Sequence, residues 1–158
     1  MALAKKNKTI RLVIGSDHRG FSLKNFLLEY LVKKGYRVKD IGTFSKDSCD
    51  YPLYCFRLGR SIQYKEAERG IFICKTGIGS CIVLNKLKGI RAALVYNFKG
   101  AKFSRLHNDS NVLVMGSDFV NKDLAKRLVS IWLKTKFEGG RHLRRLLQIK
   151  KVEEGYEL

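Results

Sequence analysis

The segment Cys74-Lys75-Thr76-Gly77-Ile78-Gly79 sets a thiol, a hydroxyl and two glycines directly after the apolar run Gly70-Ile71-Phe72-Ile73. A thiol that ends a buried strand and faces a helix N-terminus is placed where nucleophilic or basic character can arise. A two-glycine turn opening a helix aims backbone N–H groups at one spot, where they can hold an anion or a developing oxyanion. Gly-x-Gly alone is common. Here it lacks both the third glycine of a dinucleotide fingerprint and the Gly-Lys-Ser/Thr end of a P-loop, so no nucleotide cofactor is expected. Asp17-His18 follows a second apolar run, and His107-Asn108-Asp109 precedes a third. Arg141 and Arg145 stand four apart, which puts both guanidinium groups on one helix face. The set contains a candidate acid, a candidate base, an oxyanion cradle and a phosphate clamp.

These groups need a scaffold to hold them. Ile10–Ser16, Gly70–Cys74 and Ile90–Val95 are near-continuous apolar runs of the kind buried on both faces, and Tyr36–Ile41 and Asn111–Met115 are two further strand candidates. Leu23, Phe26, Leu27, Tyr30 and Leu31 share a helical face that Gly35 terminates. Pro52 suits a first helical turn running on to Tyr64. Ser80–Leu87 and Phe98–His107 are two more helices, and Leu124, Ala125, Leu128, Val129 and Trp132 form the apolar stripe of another. Strands alternating with helices at this spacing predict a three-layer α/β/α sandwich around a five-stranded parallel sheet. In such sheets ligands bind beyond the carboxyl ends of the strands. The basic run Arg141–Lys151, with Leu143, Leu146, Leu147 and Val152 as a partial apolar stripe, suits a helix that packs on a partner subunit.

At 158 residues with 45% apolar side chains, the chain is expected to form one domain over 10–158, preceded by a basic disordered tail over 1–9. Its apolar content argues against general disorder, and no uncharged run reaches the ~18–20 residues of a membrane helix. Thirty-two Lys and Arg against 14 Asp and Glu give a net charge of +18, which favours anionic partners. The basic residues are scattered and accompany no RNA-recognition signature, helix-turn-helix or zinc knuckle, so a phosphorylated small molecule is expected rather than nucleic acid. The four cysteines form no Cys-x-x-Cys pair and no zinc spacing, as suits reduced thiols in a cytoplasmic protein.

Ser16-Asp-His-Arg-Gly-Phe21, Asp50-Tyr-Pro52, Ile73-Cys-Lys-Thr-Gly-Ile-Gly79, Asn85-Lys86, Gly89-Ile-Arg-Ala-Ala93, His107-Asn-Asp-Ser-Asn-Val112 and Phe137-Glu-Gly-Gly-Arg-His142 together resemble the type B ribose-5-phosphate isomerase family, which includes galactose-6-phosphate isomerase subunits. The resemblance is collinear from about Ile10 to Gln148. It implies a Rossmann-like fold, a homodimer or dimer of dimers with shared active sites, and no metal or organic cofactor. It also implies an aldose–ketose isomerase working through a cis-enediolate. Cys74 would be the base, and Thr76 with the turn Lys75, Gly77, Ile78 and Gly79 would hold the enediolate oxygens. His107 would open the furanose ring. Asp17, Asn108 and Tyr51 would bind the sugar, and His18, Arg141 and Arg145 the phosphate, with His142 a further phosphate candidate. The alternative it leaves is a catalytically altered relative, acting on a six-carbon sugar phosphate or serving as a phosphosugar-binding subunit.

Three positions depart from the family's usual pattern. Lys75 stands where glycine is usual, and a left-handed backbone there would cost a lysine roughly 1–2 kcal/mol. Asp118 occupies a place where arginine often aids phosphate binding, and Tyr96-Asn97 replaces a His-Asp or similar pair.

Overall fold

Each apolar run is followed by an amphipathic stretch that must bury its own stripe, and a parallel sheet with helices on both faces satisfies both needs. The computed structural model describes residues 10–158, so the expected tail 1–9 lies outside the described residues. In chain order the elements are β1 (Arg11–Ser16), α1 (Phe21–Lys33), β2 (Arg37–Asp40), α2 (Tyr51–Gln63), β3 (Arg69–Cys74) and α3 (Ile78–Leu84). Then follow β4 (Ala92–Leu94), α4 (Phe98–Leu106), β5 (Val112–Gly116), α5 (Lys122–Lys134) and α6 (Arg141–Glu153). The five strands form one parallel sheet in the order β2-β1-β3-β5-β4.

Alternation along the three central strands divides the core. Leu12, Ile14, Ile71, Ile73, Leu113 and Met115 face α1, α4 and α5. Val13, Phe72, Cys74, Val112 and Val114 face α2 and α3. Trp132 is fully buried, and its indole N–H donates to Ser110 Oγ at 2.8 Å. The expected fold class therefore holds, with two adjustments. The third helix starts at Ile78, because Gly77 turns directly into it, and ends at Leu84. The strand expected over Ile90–Val95 is Ala92–Leu94 and is only half-buried, since it lies at the sheet edge and pairs with β5 alone. α6 adds no residue to either core cluster. No helix among the described residues is long and apolar enough to cross a membrane.

Helical periodicity does not mark Lys24 for burial, yet it is fully buried. Its ammonium donates to Asp40 Oδ2 and to Asn25 Oδ1 (2.9 Å), and lies 5.5 Å and 5.7 Å from the ring centroids of Phe21 and Phe44. Asp40 Oδ1 in turn accepts the Gly42 N–H at 2.9 Å, which ties the loop after β2 to α1. A buried pair tolerates joint replacement far better than loss of one partner. Asp40→Asn is therefore expected to cost about 3 kcal/mol or more in urea denaturation. Lys24→Met/Asp40→Asn should recover most of that loss; equal losses in the single and double variants would contradict the pair's role.

Candidate active site

At the carboxyl end of the sheet, Ser16 and Cys74 finish neighbouring strands in register with Ile73 and Gly116. Cys74 is 4% exposed, and its sulfur accepts the Gly77 N–H at 3.1 Å. Gly77 has φ +79°, and a Cβ there would lie 2.4 Å from Leu94 Cδ1 and 3.1 Å from the Met115 carbonyl carbon. Only glycine fits both the conformation and the space. The left-handed residue of this turn is thus Gly77 and not Lys75, whose φ is negative and whose side chain is exposed; the strain expected for a lysine there does not arise. Asp118, also exposed, packs its backbone against the same turn, donating its N–H to the Lys75 carbonyl at 3.1 Å.

Around this turn the structure gathers most of the expected residues. Asp17 is buried, and its Oδ1 accepts the N–H groups of Arg19 (2.9 Å) and Gly20 (3.0 Å), which shapes the entry into α1. His18 Nδ1 lies 3.2 Å from both the backbone N and O of Cys49, which fixes the imidazole. The Tyr51 phenol stands over Gly79, where an added Cβ would fall 2.3 Å from its oxygen. Thr76 Oγ1 accepts the Ile78 N–H at 3.3 Å. The phenol of Tyr96, which in the sequence stood out only as a departure, donates to the Thr76 carbonyl at 2.7 Å and so braces the turn from β4. Burial pushes the Tyr96 hydroxyl above its ordinary pKa.

The other expected residues lie at the opposite end. His107 caps the C-terminus of α4, Asn108 follows it, and Arg141, His142 and Arg145 belong to the start of α6. β5 runs from this end toward Cys74, spanning about 13 Å between Val112 and Gly116. One chain therefore does not bring His107 to Cys74. The turn carrying His107 and Asn108 is itself rigidly held. Asp109 has φ +44° and lies between Arg91 (2.9 Å) and Arg105 (2.7 Å), and Arg105 also donates to the Ser110 carbonyl at 2.6 Å.

Three side chains here were not marked as a unit by the sequence. The His107 and His142 rings stack 4.2 Å apart at an interplanar angle of 9°, with Phe103 stacked on the far side of His107 at 4.8 Å. Glu138 Oε2 lies 3.5 Å from His142 Nε2 and 3.7 Å from His107 Nε2. Burial and the neighbouring His107 hold the His142 pKa below its ordinary value. The i,i+4 spacing of Glu138 and His142 was the available signal, but pairing with His107 depends on how α6 docks. The three donor atoms lie within 4.8 Å of one another, but the near-parallel stacked rings do not aim both Nε2 atoms at one point. Arg141 and Arg145 are exposed beside them.

The family model for ribose/galactose isomerase matches residues 12–149. The chain is 42% identical over 144 residues to ribose-5-phosphate isomerase B of Escherichia coli (strain K12), covering 91% of this chain and 97% of that one. It is 45% identical over 142 residues to a putative sugar phosphate isomerase of Rickettsia bellii, covering 90% and 99%. Among solved structures, ribose-5-phosphate isomerase B of Clostridium thermocellum superposes with a TM-score of 0.92 at 43% identity, covering 94% of this chain and 100% of that one. The Mycoplasma genitalium ribose-5-phosphate isomerase B with bound ribulose-5-phosphate superposes at 0.87 with 38% identity, covering 91% and 96%.

All four cysteines are free. Burial raises Cys55 to about 12, and it also raises Cys81. The thiolate is the species that alkylates. Iodoacetamide at pH 8 should therefore leave Cys55 unmodified in the native protein and label it after unfolding, as read by peptide mass spectrometry. Because the folded protein keeps this proton when the unfolded chain loses it, Cys55 makes stability fall as pH rises from 9 toward 12. Native labelling of Cys55 at the unfolded rate would contradict this burial.

Proposed function

This chain belongs to the ribose/galactose isomerase family, and we propose that it interconverts ribose 5-phosphate and ribulose 5-phosphate through a cis-enediolate. The observation that carries this reading is the buried Cys74 sulfur at the carboxyl end of β3, which accepts the Gly77 N–H in the turn that opens α3. In the open-chain aldose, Cys74 takes the proton from C2 and returns it to C1, while the C1 and C2 oxygens exchange carbonyl and hydroxyl character. Thr76 and the N–H groups of Lys75, Gly77, Ile78 and Gly79 hold the oxygen charge that develops, the kind of preorganised stabilisation expected to dominate such a step. Atoms balance without a redox cofactor, since the hydrogen lost at C2 is regained at C1 and the hydroxyl proton leaving O2 is regained at O1.

Ribose 5-phosphate is mostly a furanose, so its ring must open first. His107 moves the anomeric hydroxyl proton to the ring oxygen, a transfer suited to imidazole near neutral pH. Asp17, Tyr51 and Asn108 bind sugar oxygens, and His18, Arg141 and Arg145 bind the phosphate, for which guanidinium forks are geometrically suited.

These roles require a second copy, because Cys74 and His107 lie at opposite ends of one chain's sheet. The surface supports a homodimer. Leu147 and Val152 on α6 are 54% and 57% exposed, and Ile78 and Ile82 on α3 are also exposed. An apolar surface of this kind marks an interaction site. Four free thiols fit the reducing conditions of the cytoplasm.

Purified protein is expected to turn over ribose 5-phosphate, with Cys74→Ala lowering the rate by about 10²–10⁴-fold. Ribulose 5-phosphate cannot form a furanose, since its 5-oxygen is phosphorylated, so the exchange of its C1 proton in D2O reports the Cys74 step alone. By NMR, His107→Asn should retain that exchange while losing turnover of the furanose. Equal losses in both would remove His107 from ring opening, and full exchange in Cys74→Ala would remove Cys74 from proton transfer.

A further inference from the structure

We propose that Tyr96 is a positioning residue for proton transfer: its hydroxyl fixes the peptide between Thr76 and Gly77, so that the Gly77 N–H stays on the Cys74 sulfur. The catalytic consequence rests on the base role proposed above for Cys74; the effect on the sulfur itself does not.

The carbonyls of Cys74, Lys75 and Thr76 are each held from outside the turn. The N–H groups of Ser117 and Asp118, just past β5, donate to the first two at 2.9 Å and 3.1 Å. The third accepts the Tyr96 hydroxyl at 2.7 Å. Main-chain donors are present whatever the side chains are, so of these three anchors only Tyr96 depends on residue type. In a planar trans peptide the C=O and the N–H that follows it point in opposite directions. Anchoring the Thr76 carbonyl on Tyr96 therefore aims the Gly77 N–H the other way, where the Cys74 sulfur accepts it at 3.1 Å.

This peptide needs an anchor. Gly77 has φ +79° and ψ −17°, the dihedrals of the third residue of a type II turn. Turning the peptide over converts type II to type I and asks only that Gly77 move to negative φ, which glycine adopts as readily. The overturned peptide presents the Thr76 carbonyl to the sulfur in place of the Gly77 N–H. The Tyr96 ring is itself located by an edge contact with Phe119, the centroids 5.3 Å apart at 67°. Burial keeps its hydroxyl protonated above the ordinary tyrosine range, so it remains a donor where a thiol titrates.

The other titratable groups packed around this sulfur are Asp17 after β1, Cys55 on α2 and Cys81 on α3, and none of these side chains can carry positive charge. His18 is turned to the Cys49 backbone, and Lys75 and Asp118 beside the turn are exposed. A donated hydrogen bond is what an anionic sulfur needs in such surroundings.

The test compares Tyr96→Phe, which removes the hydroxyl and keeps the ring, with Phe119→Leu, which removes the ring contact and keeps the hydroxyl. Two quantities are followed against pH in the full chain. One is the ultraviolet absorbance of the Cys74 thiolate, taken as the difference from Cys74→Ala. The other is C1 proton exchange in ribulose 5-phosphate, which needs no ring opening. In Tyr96→Phe both midpoints should rise by about one unit, the tenfold change that follows loss of one hydrogen bond to a charged group. The kcat for exchange at neutral pH should then fall about tenfold with KM little changed, and return toward the parent's rate at alkaline pH. Phe119→Leu should titrate as the parent does. A brace with a merely structural role lowers the rate equally at every pH; that result, an unmoved thiolate midpoint, or an equal shift in Phe119→Leu would overturn the proposal. A thiolate midpoint that moves while the exchange profile stays in place would leave the positioning of the sulfur standing and overturn the base role of Cys74.

Discussion

Parallel strands all begin at one end of a sheet and finish at the other, so residues before a strand and residues after it stay apart by its length. In this chain that separation is about 13 Å, and the candidate site residues are split across it. Cys74, Thr76, Asp17 and His18 follow β1 and β3, whereas His107, Asn108 and the α6 arginines precede or flank the start of β5. The remaining features make sense against this split. α6 joins neither core cluster, β4 is an edge strand, and exposed aliphatic side chains lie on α3 and α6. In the reading proposed here, a second copy covering these faces would supply the missing half of each site.

Each half is held by backbone geometry more than by side-chain bulk. Gly77 must be left-handed and close under Leu94, which directs its N–H to the Cys74 sulfur. Tyr96 holds the same turn through the Thr76 carbonyl, so the edge strand β4 is coupled to the thiol's surroundings. At the other end, Arg91 and Arg105 secure the positive-φ Asp109 directly after His107 and Asn108. Such bracing keeps polar groups positioned in advance of substrate, which is what electrostatic stabilisation of an enediolate requires.

Much of this was legible in the order of residues. Five apolar runs with period-3.6 segments between them were enough for the sandwich, because both signals are local. The turn Cys74–Gly79 was legible for the same reason. Features that depend on which elements meet were not. Lys24 is an ordinary helix residue until Asp40, Phe21 and Phe44 surround it. Glu138 pairs with His107 only once α6 turns back toward α4. β4 was expected to be as buried as its neighbours, but apolar content does not distinguish a central strand from an edge strand. Whether Lys75 would be strained was open for a related reason: composition does not show which residue of a turn is left-handed, and Gly77 holds that place.

The measurement that bears most directly on the shared site is complementation between two separately inactive variants. Cys74→Ala and His107→Asn protomers, mixed and reassembled in equal amounts, form heterodimers in which one of two sites has both residues intact. If Cys74 of one subunit works with His107 of the other, the mixture recovers about a quarter of the parent's turnover of ribose 5-phosphate, since about half the dimers are mixed. If exchange of subunits is confirmed by mass spectrometry and activity does not rise above that of the two variants alone, the two residues do not form one site across the dimer.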